Sequence, residues 1–337
     1  MSDLQQPFQH QHASHCESGV MSNLLRHYGF PLSEAMVFGL SSAISFAYLP
    51  FVKLGGLPLV AYRMPPKFII KGLQKPLGLR MRFETFRSAE QGTKRLNELL
   101  AQGKVVGLQT SVYWLPYFPP DMRFHFNAHN LLVYEKQGTD YQISDPVVET
   151  TVSCPAADLE KARFAKGVLA PKGLLYYPEK LAKPEAVAPQ WPTLIRNAIR
   201  KTARIMLRTP VPIIGTKGIR MLAKAMRRLE GRDARHAKLF IGHIVRMQEE
   251  IGTGGAGFRF IYAAFLQEAA PLAGIPALEQ CAAELLDIGD AWREFALLSA
   301  RMVRDREPLA PARLAEMLDA LAERERQFFL RLEQAIK

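Results

Sequence analysis

A proline-rich stretch separates two parts of the chain that have different sequence patterns. Four prolines fall within residues 178–192, and proline is poorly tolerated inside helices and central strands. Before this stretch, short apolar runs typical of strands, such as residues 167–177, alternate with helical segments, one of which begins at a capping box formed by Ser88 and Gln91. After it, apolar residues recur with the period of an amphipathic helix almost throughout. We therefore predict an α+β domain over residues 1–180, a linker over residues 181–192 and an all-α domain over residues 193–337.

The cellular compartment can be predicted from two features. The first fifteen residues contain no apolar run typical of a secretory signal. The three cysteines have spacings that suggest no disulfide framework, so we expect a cytoplasmic protein with reduced thiols. The uncharged segment Ala35–Val52 is interrupted by Gly39 and Pro50, which favours a buried core segment over a membrane span.

Cys16 lies at the predicted start of the first helix. Ser14 and Glu17 form an S-x-x-E pattern, which predicts Ser14 as the N-cap residue and Cys16 as the second helical residue. The unpaired N–H groups of a helix N-terminus favour a thiolate and can stabilise an oxyanion. We therefore interpret Cys16 as a candidate nucleophile, and Cys154 and Cys281 as small buried residues.

His129 and Asp145 are the candidate partners of Cys16, because a nucleophilic cysteine usually needs a base and a group that orients the base. His129 begins one predicted strand and Asp145 ends the next, in a hairpin whose turn is centred near Gln137 and Gly138. In that register the two side chains lie opposite each other, with Cβ atoms about 4.5–5.5 Å apart. A slip of one residue would place them on opposite faces. A structural His129, and an Asp145 that only begins an Asp-Pro turn, remain alternatives.

Several segments of the chain resemble a known family. Residues 13–40, "ASHCESGVMSNLLRHYGFPLSEAMVFGL", resemble the start of the butirosin biosynthesis protein H family, with its H-C-E-S opening and its G-x-x-L-S-E-A-x-x-F-G continuation. The segment "HNLLVY…ISDP" is similar to the same domain. The stretch "GTGGAGFRFIYAAFLQEAA", with "AWREFALL" downstream, resembles the family's helical C-terminal domain.

This resemblance implies a papain-like cysteine peptidase/transferase fold that is used for acyl transfer. The founding member of the family moves an aminoacyl group from an acyl-carrier protein to an aminoglycoside amine. Carried over by position, Cys16 would be the nucleophile, His129 the base and Asp145 the orienting group, in the papain-like chain order.

The sequence departs from the papain-like pattern at one position. Papain-like peptidases usually place an oxyanion-stabilising Gln six residues before the Cys, and His10 occupies that position here. The residues considered near the oxyanion are therefore Gln9, His15 and Gln109. The cluster of His10, His12, His15 and Cys16 also has metal-ligand residue types, but no second cluster has matching spacing, so we expect no metal.

An aromatic and proline-rich loop precedes His129. Tyr113, Trp114 and Phe126 belong to this loop and are predicted to line an acyl pocket, although an ordered loop over the core would have the same composition. The cluster "GTGGAGFR" lacks the G-K-[ST] ending of a phosphate loop, and we interpret it as a helix break with close packing.

Almost all of the net charge belongs to one region. Residues 191–238 carry thirteen Lys and Arg against two acidic residues, which is +11 of the total of +12. An acidic acyl-carrier protein fits such a region, and so does an anionic membrane surface, because Leu194, Ile195, Ile199 and Met206 form an amphipathic helical pattern with Arg between them. Nucleic acid has no supporting motif. The predicted carrier-docking residues are Arg196, Arg200, Lys201, Arg204, Arg227 and Arg228.

The leading hypothesis is a cysteine-dependent acyltransferase of specialised-metabolite or lipid biosynthesis. It would move an acyl group from an acyl-carrier-protein or CoA thioester, through a Cys16 acyl-enzyme, to an amine or hydroxyl acceptor. The donor would carry the acyl group on phosphopantetheine, and no bound cofactor is expected. The alternatives are a cysteine peptidase or amidase that uses water as acceptor, and a non-catalytic binder of carrier protein or membrane.

Overall fold

The computed structural model describes residues 7–337. The first six residues, part of the stretch considered for a secretory signal, lie outside the described residues. The chain forms two compact units. Unit 1 combines the N-terminal segment through Val37 with Ile69–Ala188, and unit 2 combines Phe38–Phe68 with Pro189–Lys337.

The helices and strands are named in chain order. The α-helices are α1 (Cys16–His27), α2 (Glu34–Leu40), α3 (Phe68–Gly72), α4 (Ala89–Ala101), α5 (Ala156–Arg163), α6 (Pro184–Val187), α7 (Trp191–Arg208), α8 (Gly215–Arg227), α9 (Ala234–Val245), α10 (Arg259–Ala273), α11 (Ala277–Val303) and α12 (Pro311–Ala335). The strands are β1 (Ile44–Leu54), β2 (Leu57–Arg63), β3 (Arg80–Glu84), β4 (Val106–Thr110), β5 (His129–Gln137), β6 (Asp140–Ser144), β7 (Val152–Pro155) and β8 (Leu175–Lys180).

Unit 1 is built on a six-stranded antiparallel sheet with the order β3-β8-β4-β5-β6-β7. Alternating residues of the central strands, such as Leu108 and Leu131, are fully buried in a core that also contains residues of α4 and α5. Helix α4 begins as predicted, because the Ser88 hydroxyl caps the backbone N–H of Gln91. The α+β class of this part of the chain is therefore confirmed.

Unit 2 consists mainly of helices, as predicted for the C-terminal part, and it also contains the β1–β2 hairpin. The hairpin turn is Gly55–Gly56, and both glycines have positive φ, as a two-residue turn of this kind requires. Phe46 of β1 and Tyr62 of β2 pack edge to face in the interior of the unit, where Trp292 of α11 also lies.

The division of the chain is not the contiguous one that the sequence suggested. Residues 38–68 belong to the helical unit, because β1 pairs with residues near the start of α8 through an Ala47–Ile214 bridge. The predicted linker is partly helical, with α6 and the first turn of α7 in or next to it. Ala35–Val52 is also only partly a core segment, since Phe51 and Val52 at its end are exposed.

No α-helix among residues 7–337 is both long enough and apolar enough to span a membrane. The amphipathic pattern of α7 serves packing within the protein rather than contact with a membrane, because Ile195, Ile199 and Met206 are buried inside unit 2. The apolar face of α7 is therefore packed against its own protein.

Candidate active site

Cys16 is the first residue of α1, one position earlier than predicted. The N-cap residue is His15 rather than Ser14, because the His15 Nδ1 accepts a hydrogen bond from the backbone N–H of Ser18. Cys16 therefore lies in the first turn of a helix of 12 residues, at the positive end of the helix dipole. Its side chain is almost fully buried, with 7% of the residue exposed.

Glu34 and Glu17 explain why the predicted capping box does not form. The Glu34 carboxylate accepts hydrogen bonds from the backbone N–H groups of Ser14 and His15, both at 2.9 Å, and from the Ser18 hydroxyl. Glu17 turns away from its own helix terminus, and its Oε1 accepts the backbone N–H of Ile69 at 3.0 Å. The segment before Cys16 is thus fixed by a residue of the S-E-A sequence that follows α1, and sequence reasoning did not identify this role.

The structure brings His129 and Asp145 together. His129 Nε2 and Asp145 Oδ2 are 2.6 Å apart, and both residues are buried. The predicted register was nevertheless wrong. Leu132 pairs with Ser144, whereas the predicted register pairs Leu132 with Gln142. The residues that lead into Asp145 are therefore shifted by two positions relative to β5. Because side chains alternate along a strand, a shift of two residues keeps both groups on one face, and the contact is diagonal rather than direct.

The Cys16 side chain completes this chain of polar groups. Since Nε2 of His129 is bonded to Asp145, Nδ1 is the ring nitrogen left for its hydrogen bond with Cys16. Burial alone would lower the pKa of His129, but the Asp145 carboxylate and the Cys16 sulfur outweigh burial and raise that pKa to about 10. The imidazole is therefore held in its protonated form at neutral pH.

Tyr117 also contacts the carboxylate, and the sequence did not single it out. Its hydroxyl donates to Asp145 Oδ2 at 2.7 Å, while the backbone N–H of Val147 donates to Oδ1. Burial and the Asp145 charge raise the pKa of Tyr117 well above its ordinary value, so the phenol remains a neutral donor. Phe118 packs edge to face on the His129 ring, with centroids 5.7 Å apart. The loop before His129 thus orients the pair from two sides.

The residues that follow Asp145 are fixed directly to α1 and to the segment before it. A Cβ on Gly19 would lie 2.5 Å from the Pro146 Cβ, so only glycine allows α1 to approach this closely. The backbone N–H of Ala13 donates to the Pro146 carbonyl at 2.6 Å. His10 adds two bonds, from Nε2 to the carbonyl of Val148 and between Nδ1 and the Ser144 hydroxyl. His10 therefore holds residues on both sides of Asp145 against the segment that precedes α1.

The three residues considered near the oxyanion have different surroundings. Gln109 uses its side-chain N–H₂ to bind the carbonyls of Asn127 and Leu169, at 2.8 and 3.1 Å. His15 is occupied as the N-cap of α1, and Gln9 is exposed. The side chains of Gln109 and His15 are therefore both engaged in other hydrogen bonds.

The predicted pocket residues divide into exposed and packed ones. Tyr113 and Trp114 are partly exposed, and Tyr113 stacks on His125 with ring centroids 4.0 Å apart. Phe126 packs against the core of unit 1. Two further exposed apolar residues, Val168 and Leu169, lie on a loop whose carbonyls are bound by Asn127 and Gln109. This loop is therefore held beside the start of β5, and sequence reasoning treated it as part of a strand.

The predicted docking residues lie on α7 and at the end of α8. Arg200, Lys201, Arg204 and Arg228 are exposed, and Arg196 is half-buried. Arg227 differs from them, because it forms an ion pair with Asp319 of α12. Three other cations of the basic region are paired in the same way: Arg208 with Glu333, Arg220 with Glu323 and Lys238 with Asp305. Part of the positive charge is thus neutralised within unit 2.

The other cysteines lie in apolar surroundings. Cys154 belongs to the core of unit 1, and burial raises the pKa of its thiol to about 12. Burial also raises the pKa of Cys281. Across residues 7–337 no group of three or more His, Cys, Asp and Glu side chains is arranged to hold a metal ion.

Comparisons with known proteins identify the family of this chain. No curated protein is significantly similar. A crystal structure provisionally described as a C39-like peptidase from Bacillus anthracis is 15% identical, covers 52% of this chain and 96% of that chain, and has a TM-score of 0.36. Residues 15–146 match the sequence profile "Butirosin biosynthesis protein H, N-terminal", and residues 157–332 match a domain of unknown function, DUF4872. The chain therefore belongs to the butirosin biosynthesis protein H family, with the N-terminal domain of that family followed by DUF4872.

Proposed function

We propose that this protein is a cysteine-dependent acyltransferase in which Cys16, His129 and Asp145 form the catalytic triad. The observation that carries the proposal is the continuous chain of contacts from the Cys16 side chain through His129 to Asp145, at the N-terminus of a helix. A thiol in such a place can be activated by proton transfer to the imidazole. Membership of the butirosin biosynthesis protein H family supports a biosynthetic role for the same groups.

In the first half of the reaction, the Cys16 thiolate attacks the carbonyl carbon of a thioester donor. The new C–S bond forms while the carbonyl becomes an oxyanion, which the N–H groups of the first turn of α1 stabilise. When the intermediate collapses, the donor sulfur leaves and takes a proton from the His129 imidazolium. An acyl-enzyme and a neutral imidazole remain.

In the second half, an amine or hydroxyl acceptor attacks the acyl-enzyme. Neutral His129 accepts the proton of the acceptor, and Cys16 leaves as the thiolate, so the starting protonation state is restored. Asp145 holds the ring in orientation during both steps through its bond to Nε2. Tyr117 and the Val147 N–H hold the carboxylate in turn.

The proposed donor is an acyl group on phosphopantetheine, carried by an acyl-carrier protein or by CoA. The exposed cations of α7, Arg200, Lys201 and Arg204, give an acidic carrier protein a surface of opposite charge, which raises the rate of encounter. Tyr113, Trp114 and Phe126 are the proposed pocket residues for the acyl chain. The proposed acceptor is a small molecule or a lipid that presents an amine or a hydroxyl.

The test is intact-protein mass spectrometry after incubation with a panel of acyl-pantetheine thioesters. We expect one acyl group to be added to the wild type and to be released by an added amine. Cys16→Ala should gain no acyl group, whereas the matched control Cys281→Ala should be acylated like the wild type.

Two results would contradict the proposal. Acylation of Cys16→Ala would show that another group reacts. An acyl-enzyme that is released by water as fast as by every amine and alcohol tested would indicate a peptidase or an amidase with the same triad.

A further inference from the structure

The β1–β2 hairpin of unit 2 ends in an exposed apolar surface that the proposed reaction does not use. Phe51 is 71% exposed, and Val52 and Leu54 are 40% and 42% exposed. The hairpin tip is narrow, because Leu54 pairs with Leu57 across the two-residue turn Gly55–Gly56. Apolar side chains that cluster at an exposed tip usually mark an interaction surface.

The base of the hairpin is fixed within unit 2. Ile214 forms an antiparallel bridge with Ala47, and the Tyr48 N–H donates to the Ile213 carbonyl at 2.9 Å. The exposed apolar residues lie beyond this attachment, at the turn of the hairpin. We name Phe51, Val52 and Leu54 together the apolar tip.

The charge within the apolar tip is positive, because the exposed Lys53 lies between Val52 and Leu54. The exposed Arg228 lies near enough to Tyr48 to act on it electrostatically. The sequence contains no Asp or Glu between residues 35 and 83, so β1 and β2 contribute no negative charge.

We propose that the apolar tip inserts into the surface of an anionic lipid bilayer while the neighbouring cations contact the lipid headgroups. A narrow tip with exposed Phe and Leu suits a bilayer, because lipid chains accept an apolar side chain without a complementary surface. A stable protein partner, by contrast, normally needs about 800 Å² on each side. Cations beside the tip add an attraction of about 1 kcal/mol for each Lys or Arg near an anionic membrane surface.

This proposal uses an element other than the amphipathic helix that the sequence suggested for a membrane. The apolar residues of α7 are buried, so α7 cannot place them in a bilayer without unfolding unit 2. The hairpin presents its apolar residues in the folded state. The proposal does not depend on the acyl-transfer chemistry, and either can fail alone.

The test is flotation of the full chain with phosphatidylcholine vesicles, with and without phosphatidylglycerol as about one third of the lipid. We expect binding only to the anionic vesicles. The double variant Phe51→Ser/Leu54→Ser should bind at least about tenfold more weakly, because two apolar side chains no longer enter the bilayer. The matched control is Leu297→Ser, which replaces a leucine of α11 that is 55% exposed, and it should bind like the wild type.

A charge variant tests how much electrostatic attraction to the headgroups contributes to binding, apart from insertion of the apolar side chains. Lys53→Glu should weaken binding to the anionic vesicles and should leave the fold unchanged, since the Lys53 side chain is exposed. The circular dichroism melting curve of each variant checks the fold.

The proposal is overturned if the wild type does not float with anionic vesicles, or if the serine variant floats equally well. It is also overturned if the wild type does not float and the serine variant differs from the wild type in a protein contact. That difference would be a loss of binding to an acyl-carrier protein, or a change from a dimer to a monomer in light scattering. Those results would identify the tip as a protein interface.

Discussion

Each unit of this protein contains a buried cluster of charged groups, and the two clusters differ in what they can do. In unit 2, Arg259 and Glu325 form two hydrogen bonds, at 2.8 and 3.1 Å, and both residues are almost fully buried. Arg259 also donates to the Gly257 carbonyl, and Trp292 Nε1 donates to Glu325. In unit 1, Asp145 accepts bonds from His129 and Tyr117, and His129 in turn contacts Cys16.

The comparison teaches that a buried charge alone does not mark an active site. The guanidinium of Arg259 is held by its partners in a closed set of hydrogen bonds. Such a set gives unit 2 a fixed geometry. The cluster of unit 1 instead contains an imidazole that can gain or lose a proton and a thiol that can react. The difference predicts that substitutions in unit 1 mainly affect reactivity, whereas substitutions in unit 2 mainly affect stability.

The largest effect is expected for Asp145→Asn. The amide keeps the shape of the side chain but cannot stabilise the imidazolium, so we expect the rate of Cys16 acylation to fall about 10³-fold. The measurement is single-turnover acylation with the best thioester of the panel. The control is Asp140→Asn at the start of β6, the strand that precedes Asp145. The Asp140 carboxylate accepts hydrogen bonds from the Thr139 and Ser153 hydroxyls, and the variant should react like the wild type. A loss of similar size in the control would show that the whole strand is disturbed.

The same variant has a pH dependence with a definite sign. Because the pKa of His129 is raised from 6.5 to about 10, the protonated imidazole adds to the free energy of unfolding. This contribution is fully present below pH 6.5 and is lost as the pH rises towards 10. In Asp145→Asn the carboxylate no longer raises this pKa, and burial lowers it. The difference in unfolding free energy between the wild type and the variant should therefore shrink from pH 6.5 to pH 10. Urea unfolding at several pH values measures it, and a difference that grows with pH would contradict the assignment.

The elements that the sequence predicted well depend on local interactions. The long helices α11 and α12 follow from the 3.6-residue period of their apolar residues, and the N-terminus of α4 follows from its Ser88 cap. The glycine cluster before α10 is a helix break, as predicted. A Cβ on Gly257 would lie 2.2 Å from the Tyr62 ring, which confirms the close packing.

The features that the sequence did not predict depend on distant residues. Ser14 lost its capping role because Glu34, twenty residues later, binds the backbone there. The hairpin register could not be fixed from its turn, since a bulge in β5 changes the pairing between Val133 and Glu135. The contact of Tyr117 with Asp145 also depends on tertiary packing, because the loop that carries Tyr117 folds over the core. The triad residues could still be proposed, because their residue types and strand positions are local properties.

The next largest effect is expected for substitutions in the buried Arg259–Glu325 cluster of unit 2. Arg259→Leu leaves the Glu325 carboxylate buried without its counter-ion, so we expect the unfolding free energy to fall by about 3–5 kcal/mol. The double variant Arg259→Leu/Glu325→Gln should recover much of this loss, because the charge is removed while an oxygen remains for Trp292 Nε1. Urea unfolding measures both. The control is Arg331→Leu, which breaks an exposed ion pair with Glu284 and should cost less than about 1 kcal/mol. A double variant no more stable than Arg259→Leu would mean that the site needs the guanidinium for packing, not for charge.

The smallest effect is expected for Tyr117→Phe, which removes one hydrogen bond from the Asp145 carboxylate and keeps the ring. His129 and the Val147 N–H still bind the carboxylate, so the charge is not left unpaired. We expect a loss of about 1–2 kcal/mol in stability and a fall of less than about tenfold in the acylation rate. Single-turnover kinetics and urea unfolding measure the two quantities, with Tyr134→Phe as the control, since the Tyr134 ring stacks on Phe8 of the same unit. A fall as large as that of Asp145→Asn would show that Tyr117, rather than the neighbouring backbone, sets the position of the carboxylate.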